Sequence, residues 1–431
     1  MNKLFVTLFT LLASTMLSAQ IKSGPMLGYN TMREVLVWVE LEESEFAEII
    51  YWKEGSEDSI RLNKEALIEN HNTIKFITQL LEPGTTYHYQ IRLPNLKYST
   101  KIYRFKTQTN WQFRTDPPTF KMALGSCAYF NESQYDRPGE PYGRNYGIFN
   151  QIVAQQPELM LWLGDNFYLR DADLYSKAAT FYRYSTDRAT PELQTLLSVT
   201  HHYAIWDDHD FGPNDADGSY VGKENSLAAF KAYWGNPFYG VSNLPGITSA
   251  FEYNDVDFFL LDNRFERNAN NRKTGTKQML GKAQIEWLID GLKSSDAPFK
   301  IVAVGGQVLN TAAVYENYSN FPEERAYLLQ RIEEEGIKGV VFVTGDRHKT
   351  ELSHLNIGNE INIYDLTVSP LTAKYYNTIE EANTLRVEGT HTATNNFAIL
   401  EFSGSLKERV MKIMIYNSEG KQEWEKTIQR D

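Results

Sequence analysis

The sequence has 431 residues and contains a single cysteine, Cys127. One cysteine excludes an internal disulfide. Acidic residues (55) outnumber lysines and arginines (43), and the formal net charge of -12 argues against binding nucleic acid through a broad basic face. A small, locally positive pocket is still compatible with this net charge, because bound metal ions can supply the positive charge of the pocket. After the first residues, the chain lacks an internal repeat and any apolar run long enough to span a membrane.

Residues 1–19 have the pattern of a secretory signal peptide. Lys3 precedes an apolar run, LFVTLFTLLASTML, and the segment ends in Ser-Ala. The run is shorter than a comfortable membrane span, and no cysteine follows it for attachment of a lipid. We therefore predict cleavage after Ala19 and export to a periplasm or the extracellular medium, without a transmembrane anchor.

Residues 20–112 are predicted to form a small β-sandwich. Short runs rich in β-branched and aromatic residues alternate with polar turns, which is typical of strands. The segment 81–89 (LEPGTTYHY) resembles the corner of a fibronectin- or immunoglobulin-like sandwich, where a tyrosine hydroxyl caps nearby backbone. His71 and His88 stand alone there, so we assign this part no acid–base chemistry.

A linker with two prolines precedes a second predicted domain, residues 118–431. From Phe120 apolar strands alternate with amphipathic helices, a pattern that favours an α/β sheet covered on both faces. His201 and His202 precede one of these strands and are predicted to lie in a surface turn. The tail, residues 407–426, is predicted to form a hairpin.

Polar residues recur directly after the apolar strands of this second domain. In open α/β sheets, ligands bind outside the carboxyl ends of the strands, so these side chains are expected to converge on one site. The segments are Ser126-Cys127, Gly164-Asp165, Asp207-Asp208-His209, Asp262-Asn263-Arg264, Gln307 and Asp346-Arg347-His348.

Carboxylate and imidazole groups at neighbouring strand ends suit first-row metal ions and Ca²⁺. A single Gly-Asp after a strand is weakly specific, but the joint pattern predicts a two-metal site that could clamp a phosphate and activate a water. Asp165 is the predicted bridging ligand, because Gly164 lets the backbone approach closely. The candidate ligands on this reasoning are Asp165, Asp208, Asp346 and His348.

Four further residues near the strand ends each have two interpretations. His209 is either a proton donor to a leaving group or a structural histidine bonded to a neighbouring carboxylate. Cys127 is either a thiolate ligand or a buried apolar cysteine. Tyr168 is either a phenolate ligand that would favour Fe³⁺ or an aromatic lid, and Asn214 is a candidate oxygen ligand.

Five ordered segments together resemble the PhoD-type alkaline phosphatases of the calcineurin-like metallophosphoesterase superfamily. The resemblance covers nearly all of the chain after the predicted signal peptide, and it implies a four-layer α/β/β/α core. It also implies hydrolysis of phosphomonoesters or phosphodiesters with iron (Fe³⁺) and calcium, other divalent metals being possible. The segments are Gly125–Cys127, Gly164–Tyr168, Trp206–Asp210, Leu261–Arg264 and Gly345–His348.

The family pattern also implies roles for individual residues. Alignment with the wider superfamily makes Asp208 the ligand and His209 the catalytic group, while the choice between Asp207 and Asp208 as the direct ligand stays open. Iron would be bound by Cys127, Asp165 and Tyr168, and the ions together would share Asp165, Asp207, Asp208, Asp346 and His348.

An arginine that contacts the phosphate is expected as well, and the candidates are Arg144, Arg183, Arg188 and Arg264. Arg183 and Arg188 are preferred, because their helical segment lies between two ligand-bearing strands. The C-terminal helix that closes the site in PhoD-type enzymes is not evident in the sequence. The resemblance therefore does not predict how substrates reach the site or which substrates fit.

The leading hypothesis is an exported, monomeric, alkaline phosphatase D-like hydrolase. Hydroxide activated by the metals would attack the phosphorus of a small or polymeric phosphate ester, and His209 would assist the leaving group. One alternative is a phospholipase-D-like phosphodiesterase that acts on lipids or polymers. An alternative of another class is a non-catalytic surface binding protein with a retired metal site.

Overall fold

The computed structural model describes residues 21–43, 45–93, 98–241, 244–358 and 360–430. The predicted signal peptide lies outside these residues. Within them, no helix combines the length and the apolar character needed to cross a membrane.

The first part of the described chain is made of strands that pack as two layers. Residues alternate between buried and partly exposed along several of these strands, so their inner faces form a common core. The hydroxyl of Tyr87 accepts a hydrogen bond from the backbone N–H of Glu82 at 2.9 Å, so the predicted tyrosine corner is confirmed. The strands are β1 (Ile21–Asn30), β2 (Val35–Leu41), β3 (Phe46–Lys53), β4 (Ile60–Glu65), β5 (Thr73–Thr78), β6 (Thr86–Leu93), β7 (Tyr98–Ser99) and β8 (Tyr103–Lys106).

The second part alternates strands and helices before it ends in strands. The strands are β9 (Phe120–Gly125), β10 (Leu159–Leu163), β11 (His201–Ile205), β12 (Ser249–Tyr253), β13 (Val256–Leu260), β14 (Phe299–Val304), β15 (Val340–Thr344), β16 (Glu351–Ile357), β17 (Ile361–Thr367), β18 (Asn396–Ser403), β19 (Val410–Asn417) and β20 (Gln422–Gln429). The helices are α1 (Ile148–Ala154), α2 (Lys177–Arg188), α3 (Leu193–Val199), α4 (Asp208–Phe211), α5 (Lys223–Tyr233), α6 (Lys282–Ser294) and α7 (Pro322–Glu334).

Two large sheets face each other, and one of them includes strands β1, β2 and β5 of the first part. One has nine strands in the order β20-β19-β18-β9-β10-β11-β1-β2-β5, and the other has six in the order β12-β13-β14-β15-β17-β16. Strand β14 shows why they stack: Ile301 and Ala303 belong to the core between the sheets, whereas Val302 and Val304 pack towards the helix layer of α6 and α7. Helices α1 and α3 pack on the nine-stranded sheet. The predicted α/β/β/α layering is therefore confirmed.

The N-terminal strands are continuous with the nine-stranded sheet, because β1 pairs in parallel with β11 at Leu27 and His201. The division into a sandwich over residues 20–112 and a catalytic domain over residues 118–431 stays a prediction. The predicted hairpin of the tail is confirmed, since β19 and β20 pair antiparallel.

The prediction of a surface turn at His201 and His202 is wrong, because both are buried within β11. Each imidazole has polar partners that make burial tolerable. A ring nitrogen of His201 lies 2.9 Å from the carbonyl oxygen of Gly28, and the ring of His202 contacts the Leu196 carbonyl and the Trp162 indole. Burial lowers the pKa of the two imidazoles to about 4 and about 3, so both are neutral at pH 7.

Candidate metal centre

The loops that follow β9, β10, β11 and β15 bring the predicted ligands together. Four of these ligands have left-handed backbone, with φ of 56° at Cys127, 52° at Asp165, 67° at Asp346 and 51° at His348. This conformation costs free energy in residues other than glycine and is concentrated at functional sites. All four residues lie within four positions of the ends of β9, β10 and β15, so the strained backbone is concentrated where the candidate ligands meet.

One group of candidate ligands combines sulfur, oxygen and nitrogen donors. The ligand atoms of Cys127, Asp165 and His348 all lie within 4.8 Å of one another. The Tyr168 hydroxyl is 3.2 Å from Asp165 Oδ2 and 3.4 Å from His348 Nε2. His348 Nδ1 contacts the backbone carbonyl of Lys374, which fixes the proton on Nδ1 and leaves the Nε2 lone pair facing the group.

Two more groups continue from the first one through shared carboxylates. Asp165, Asp208 and His209 form one of them, and Asp207, Asp208, Glu316 and Asp346 form the other. Asp165 and Asp208 each belong to two groups, so the three are contiguous. A shared carboxylate is the arrangement that lets two metal ions lie a few ångströms apart.

Burial and mutual repulsion raise the pKa of most of these carboxyl groups. Both the Asp165 and the Asp346 carboxyl have a pKa well above the usual range, and that of Asp207 is about 6 despite the charge of Arg264. Asp208 differs: burial would raise its pKa, but His209, Arg264 and the N–H of Asp215 outweigh burial and lower it.

Two buried carboxylate oxygens, Asp207 Oδ2 and Asp346 Oδ2, receive no hydrogen bond from the described residues. A buried carboxylate oxygen without a donor is costly unless a cation compensates it, and Arg347 Nε, at 3.7 Å from Asp346 Oδ2, is beyond hydrogen-bond distance. Together with the mixed donors of the first group, these oxygens show that the residues present fit bound metal ions.

The Cys127 thiol is fully buried, and burial raises its pKa to about 12. Ser369 donates to its sulfur at 3.1 Å, and the sulfur lies 3.5 Å from Asp165 Oδ2. A thiol in this position is protonated unless a metal ion displaces the proton. Its role as a ligand stays a prediction that this position favours.

Glu316 is a member of the acidic group that the sequence did not reveal. It lies in the long loop between β14 and α7, away from any strand end, and no local pattern marks it. Arg264 connects it to Asp207, since the guanidinium contacts both carboxylates: Nε lies 2.6 Å from Asp207 Oδ1, and Nη1 lies 2.9 Å from Glu316 Oε1. Arg264 therefore holds two candidate ligands in place.

The preferred phosphate-binding arginines do not reach the ligand groups. Arg183 is buried and paired with Asp173 at 2.8 Å and Asp187 at 3.1 Å. Arg188 is buried with its guanidinium 4.0 Å from the centre of the Trp234 ring. Both charges are used in packing α2. Arg183 pairs with acids four and ten residues away and Arg188 stacks on Trp234, and no local pattern shows that these contacts bury both guanidinium groups. We do not propose them as catalytic residues.

His209 lies at the edge of the ligand groups, where they open onto a cavity. Its ring stacks on that of Tyr168, with 4.3 Å between ring centres, and its backbone N–H donates to Asp208 Oδ1 at 3.0 Å. Both residues line a cavity of about 590 Å³, as does the exposed Asn214. The role of Asn214 as an oxygen ligand stays a prediction, and Arg144 is exposed at the surface.

The model of the PhoD-like phosphatase family matches residues 122–410. The chain belongs to this family. The matched span runs from β9 to the start of β19 and contains every residue of the three ligand groups. The family predicted from the sequence motifs is thus confirmed.

Known relatives agree with this assignment. The chain is 22% identical over 329 residues to alkaline phosphatase D of Bacillus subtilis (strain 168). That alignment covers 65% of this chain and 54% of the relative, so the chain spans about half the length of the curated relative it matches.

Two solved structures share the fold. A structure of PhoD superposes with a TM-score of 0.74 at 16% identity and covers 94% of this chain and 90% of its own. The purple acid phosphatase PPD1 from yellow lupin (Lupinus luteus) seeds superposes with a TM-score of 0.67 at 15% identity and covers 94% and 74%. At these identities the likeness concerns the fold alone.

Proposed function

We propose that the chain is an exported, metal-dependent phosphoesterase that hydrolyses phosphomonoesters, phosphodiesters or both. The observation that supports this most directly is the contiguity of three ligand groups through Asp165 and Asp208, in a chain of the PhoD-like phosphatase family. Every predicted ligand position holds a residue that can bind a metal ion, which argues against a binding protein that has lost its metal site.

The donor atoms suggest which ions would bind where. A thiolate, a phenolate and an imidazole around Asp165 suit Fe³⁺, and the residues that would hold it are Cys127, Asp165, Tyr168 and His348. The all-oxygen group suits Ca²⁺ or another divalent ion, and it consists of Asp207, Asp208, Glu316 and Asp346. Bound ions would neutralise the phosphate and lower the pKa of the attacking water.

The side chains of the protein have distinct tasks in this reaction. Asp165 and Asp208 each belong to two ligand groups and therefore keep neighbouring groups next to each other. Arg264 contacts both Asp207 and Glu316 and holds their carboxylates in place. His209 is the candidate donor of a proton to the leaving-group oxygen, because it lies between the ligands and the cavity. Stacking on Tyr168 orients its imidazole.

The test compares Asp165→Asn and Asp208→Asn with Asp290→Asn, an exposed acid on α6. Hydrolysis of p-nitrophenyl phosphate and bis(p-nitrophenyl) phosphate is measured with the metal content of each protein. We expect the first two variants to lose about 10³-fold or more in kcat/KM and to bind less metal. The Asp290→Asn variant should match the wild type, and full activity in either ligand variant would contradict the proposed function.

A further inference from the structure

The cavity next to His209 has the size of a binding site for an organic group. Its volume of about 590 Å³ lies within the range of small-molecule sites. The lining comes from the loop of residues 129–142 after β9, the segment 168–171 after β10, and the isolated residues His209, Asn214 and Tyr376. A phosphate at the ligand groups would therefore carry its organic substituent into this cavity.

The charged groups of the cavity do not favour a second anion. Arg170 is neutralised by Asp136, whose Oδ1 lies 3.0 Å from Nη2. Arg137 is accompanied by the acids Glu140 and Asp171 in the same lining. Since acids outnumber basic groups here, an uncharged substituent fits better than a polyphosphate chain or a second phosphate.

The uncharged part of the lining is dominated by tyrosines, which are Tyr129, Tyr135, Tyr142, Tyr168 and Tyr376. Except for Tyr135, their rings are linked by ring–ring contacts that reach the candidate ligand His348. The centre of the Tyr142 ring lies 5.0 Å from that of Tyr129, and both Tyr142 and Tyr376 approach the ring of His348, at 5.9 and 5.5 Å. Tyr376 is 44% exposed, so part of its ring is open to a ligand.

A buried arginine keeps this wall in place. Arg170 donates to the carbonyls of Phe130 and Tyr168, which joins the two segments that line the cavity. Its guanidinium also lies 4.1 Å from the centre of the Tyr129 ring. A wall ordered in advance loses little freedom when a ligand binds.

On the basis of the phosphoesterase function proposed above, we propose that this tyrosine-lined cavity binds a flat, uncharged ring in the organic part of the substrate. The preferred substrates are then phosphate esters of nucleosides or of aryl alcohols rather than of simple sugars and polyols. Tyr376 is a specificity-determining residue, because it combines an accessible ring with a backbone N–H that donates to the His348 carbonyl at 3.0 Å.

The experiment uses pairs of substrates whose leaving groups are both primary alcohols. Adenosine 5′-monophosphate is compared with ribose 5-phosphate, and benzyl phosphate with propyl phosphate, so each pair differs in the ring. In the wild type we expect kcat/KM to be at least about fivefold higher for the ring-bearing member of at least one pair, since stacking on an aromatic side chain is worth that much or more. A preference within the first pair would indicate that the cavity binds a nucleobase, and a preference within the second that it binds an aryl group.

Three variants then locate the effect. Tyr376→Leu should reduce the ratio of kcat/KM within the preferred pair at least about threefold, and Tyr376→Phe should retain the ratio, because it keeps the ring. Tyr375→Leu is the matched control: the neighbouring tyrosine is 40% exposed and is not among the residues that line the cavity. It should leave the ratio unchanged.

The outcomes separate the ring site from the catalytic function. Equal kcat/KM within both pairs, or a ratio that Tyr376→Leu leaves unchanged, would overturn the ring site while the phosphoesterase function stands. If no substrate is hydrolysed, the proposed function fails. Calorimetric titration with adenosine and with benzyl alcohol then still tests whether the cavity binds a ring. Binding of either compound that Tyr376→Leu weakens and Tyr375→Leu does not would support the ring site, and its absence would overturn it.

Discussion

Glu381 lies between the two basic residues that flank the candidate ligand His348. Its Oε2 is 2.6 Å from Arg347 Nη2, and its Oε1 is 3.1 Å from Lys349 Nζ and 2.7 Å from Asn310 Nδ2. Arg347 and Lys349 are both buried, so the negative charge of Glu381 compensates for the hydration that their cationic groups lose. We expect this carboxylate to anchor the segment that carries two of the candidate ligands.

The magnitude of this anchoring follows from the ionisation of Glu381. Burial opposes its charge, but the hydrogen bond and charge of Arg347, together with Asn310 and Lys349, lower its pKa from 4.5 to about 2. At about 1.4 kcal/mol for each tenfold change in the ionisation constant, this shift corresponds to ~3 kcal/mol, which solvent screening of the partly exposed carboxylate reduces to about 1–2 kcal/mol. Because the pKa is lowered in the folded state, this stabilisation is complete above about pH 5 and is lost as the pH falls from 4.5 to 2.

The Glu381→Gln variant keeps the shape of the side chain and removes its charge. We expect the free energy of unfolding, measured by urea titration, to fall by about 1–2 kcal/mol at pH 7. The difference from the wild type should shrink as the pH is lowered below 4.5. Glu380→Gln, at the exposed neighbouring residue, is the control and should change stability by less than about 0.5 kcal/mol. A loss of the same size at pH 3 and pH 7, or no loss at pH 7, would refute the electrostatic origin.

Two further predictions concern a candidate ligand and a buried ion pair. Glu316→Gln should reduce the metal bound per chain, because it weakens one ligand group and leaves Arg264 less neutralised. Elemental analysis checks this, with Glu323→Gln at an exposed position as the control, and an unchanged metal content would contradict it. Arg409→Met should lower the free energy of unfolding by about 3–5 kcal/mol, because it leaves the buried Asp255 carboxylate, now 2.8 Å from Arg409 Nε, without its partner. Adding Asp255→Leu should recover most of that loss in the same urea titration, and a double variant as unstable as the single one would contradict the pairing.

The residues that sequence reasoning could predict share one property, which is that they follow apolar strands directly. LMLWL of β10 and VVFVT of β15 are entirely buried, and each is followed by Gly-Asp. The burial of the strand fixes the position of its end, and parallel strands bring such ends to one edge of the sheet. Local pattern therefore predicted that Asp165 and Asp346 each lie at the edge of a sheet, whereas the meeting of the two edges follows from the stacking of the nine-stranded and six-stranded sheets.

Glu316 escaped prediction because its partners are distant along the chain. Glu316 enters the acidic group through Arg264 and Arg267, which precede it by about fifty residues. Arg183 and His202 have the opposite character: both contain chemistry that suits a site, but Arg183 is paired with Asp173 and the ring of His202 is hydrogen-bonded to the Leu196 carbonyl within the core. No local pattern distinguishes a buried and satisfied polar residue from one that is free to act.

The glycines that precede the ligands explain how the strand ends come so close. A Cβ on Gly164 would lie 2.6 Å from the Asp207 Cβ, and one on Gly345 would lie 2.6 Å from the Leu163 carbonyl oxygen. These contacts join β10 to the end of β11 and the loop after β15 to β10, so they set the distances between ligand loops from the two different sheets. The Gly-Asp pattern is thus a packing requirement as much as a chemical one. Asp165 can belong to two ligand groups because the residue before it has no side chain to keep the strands apart.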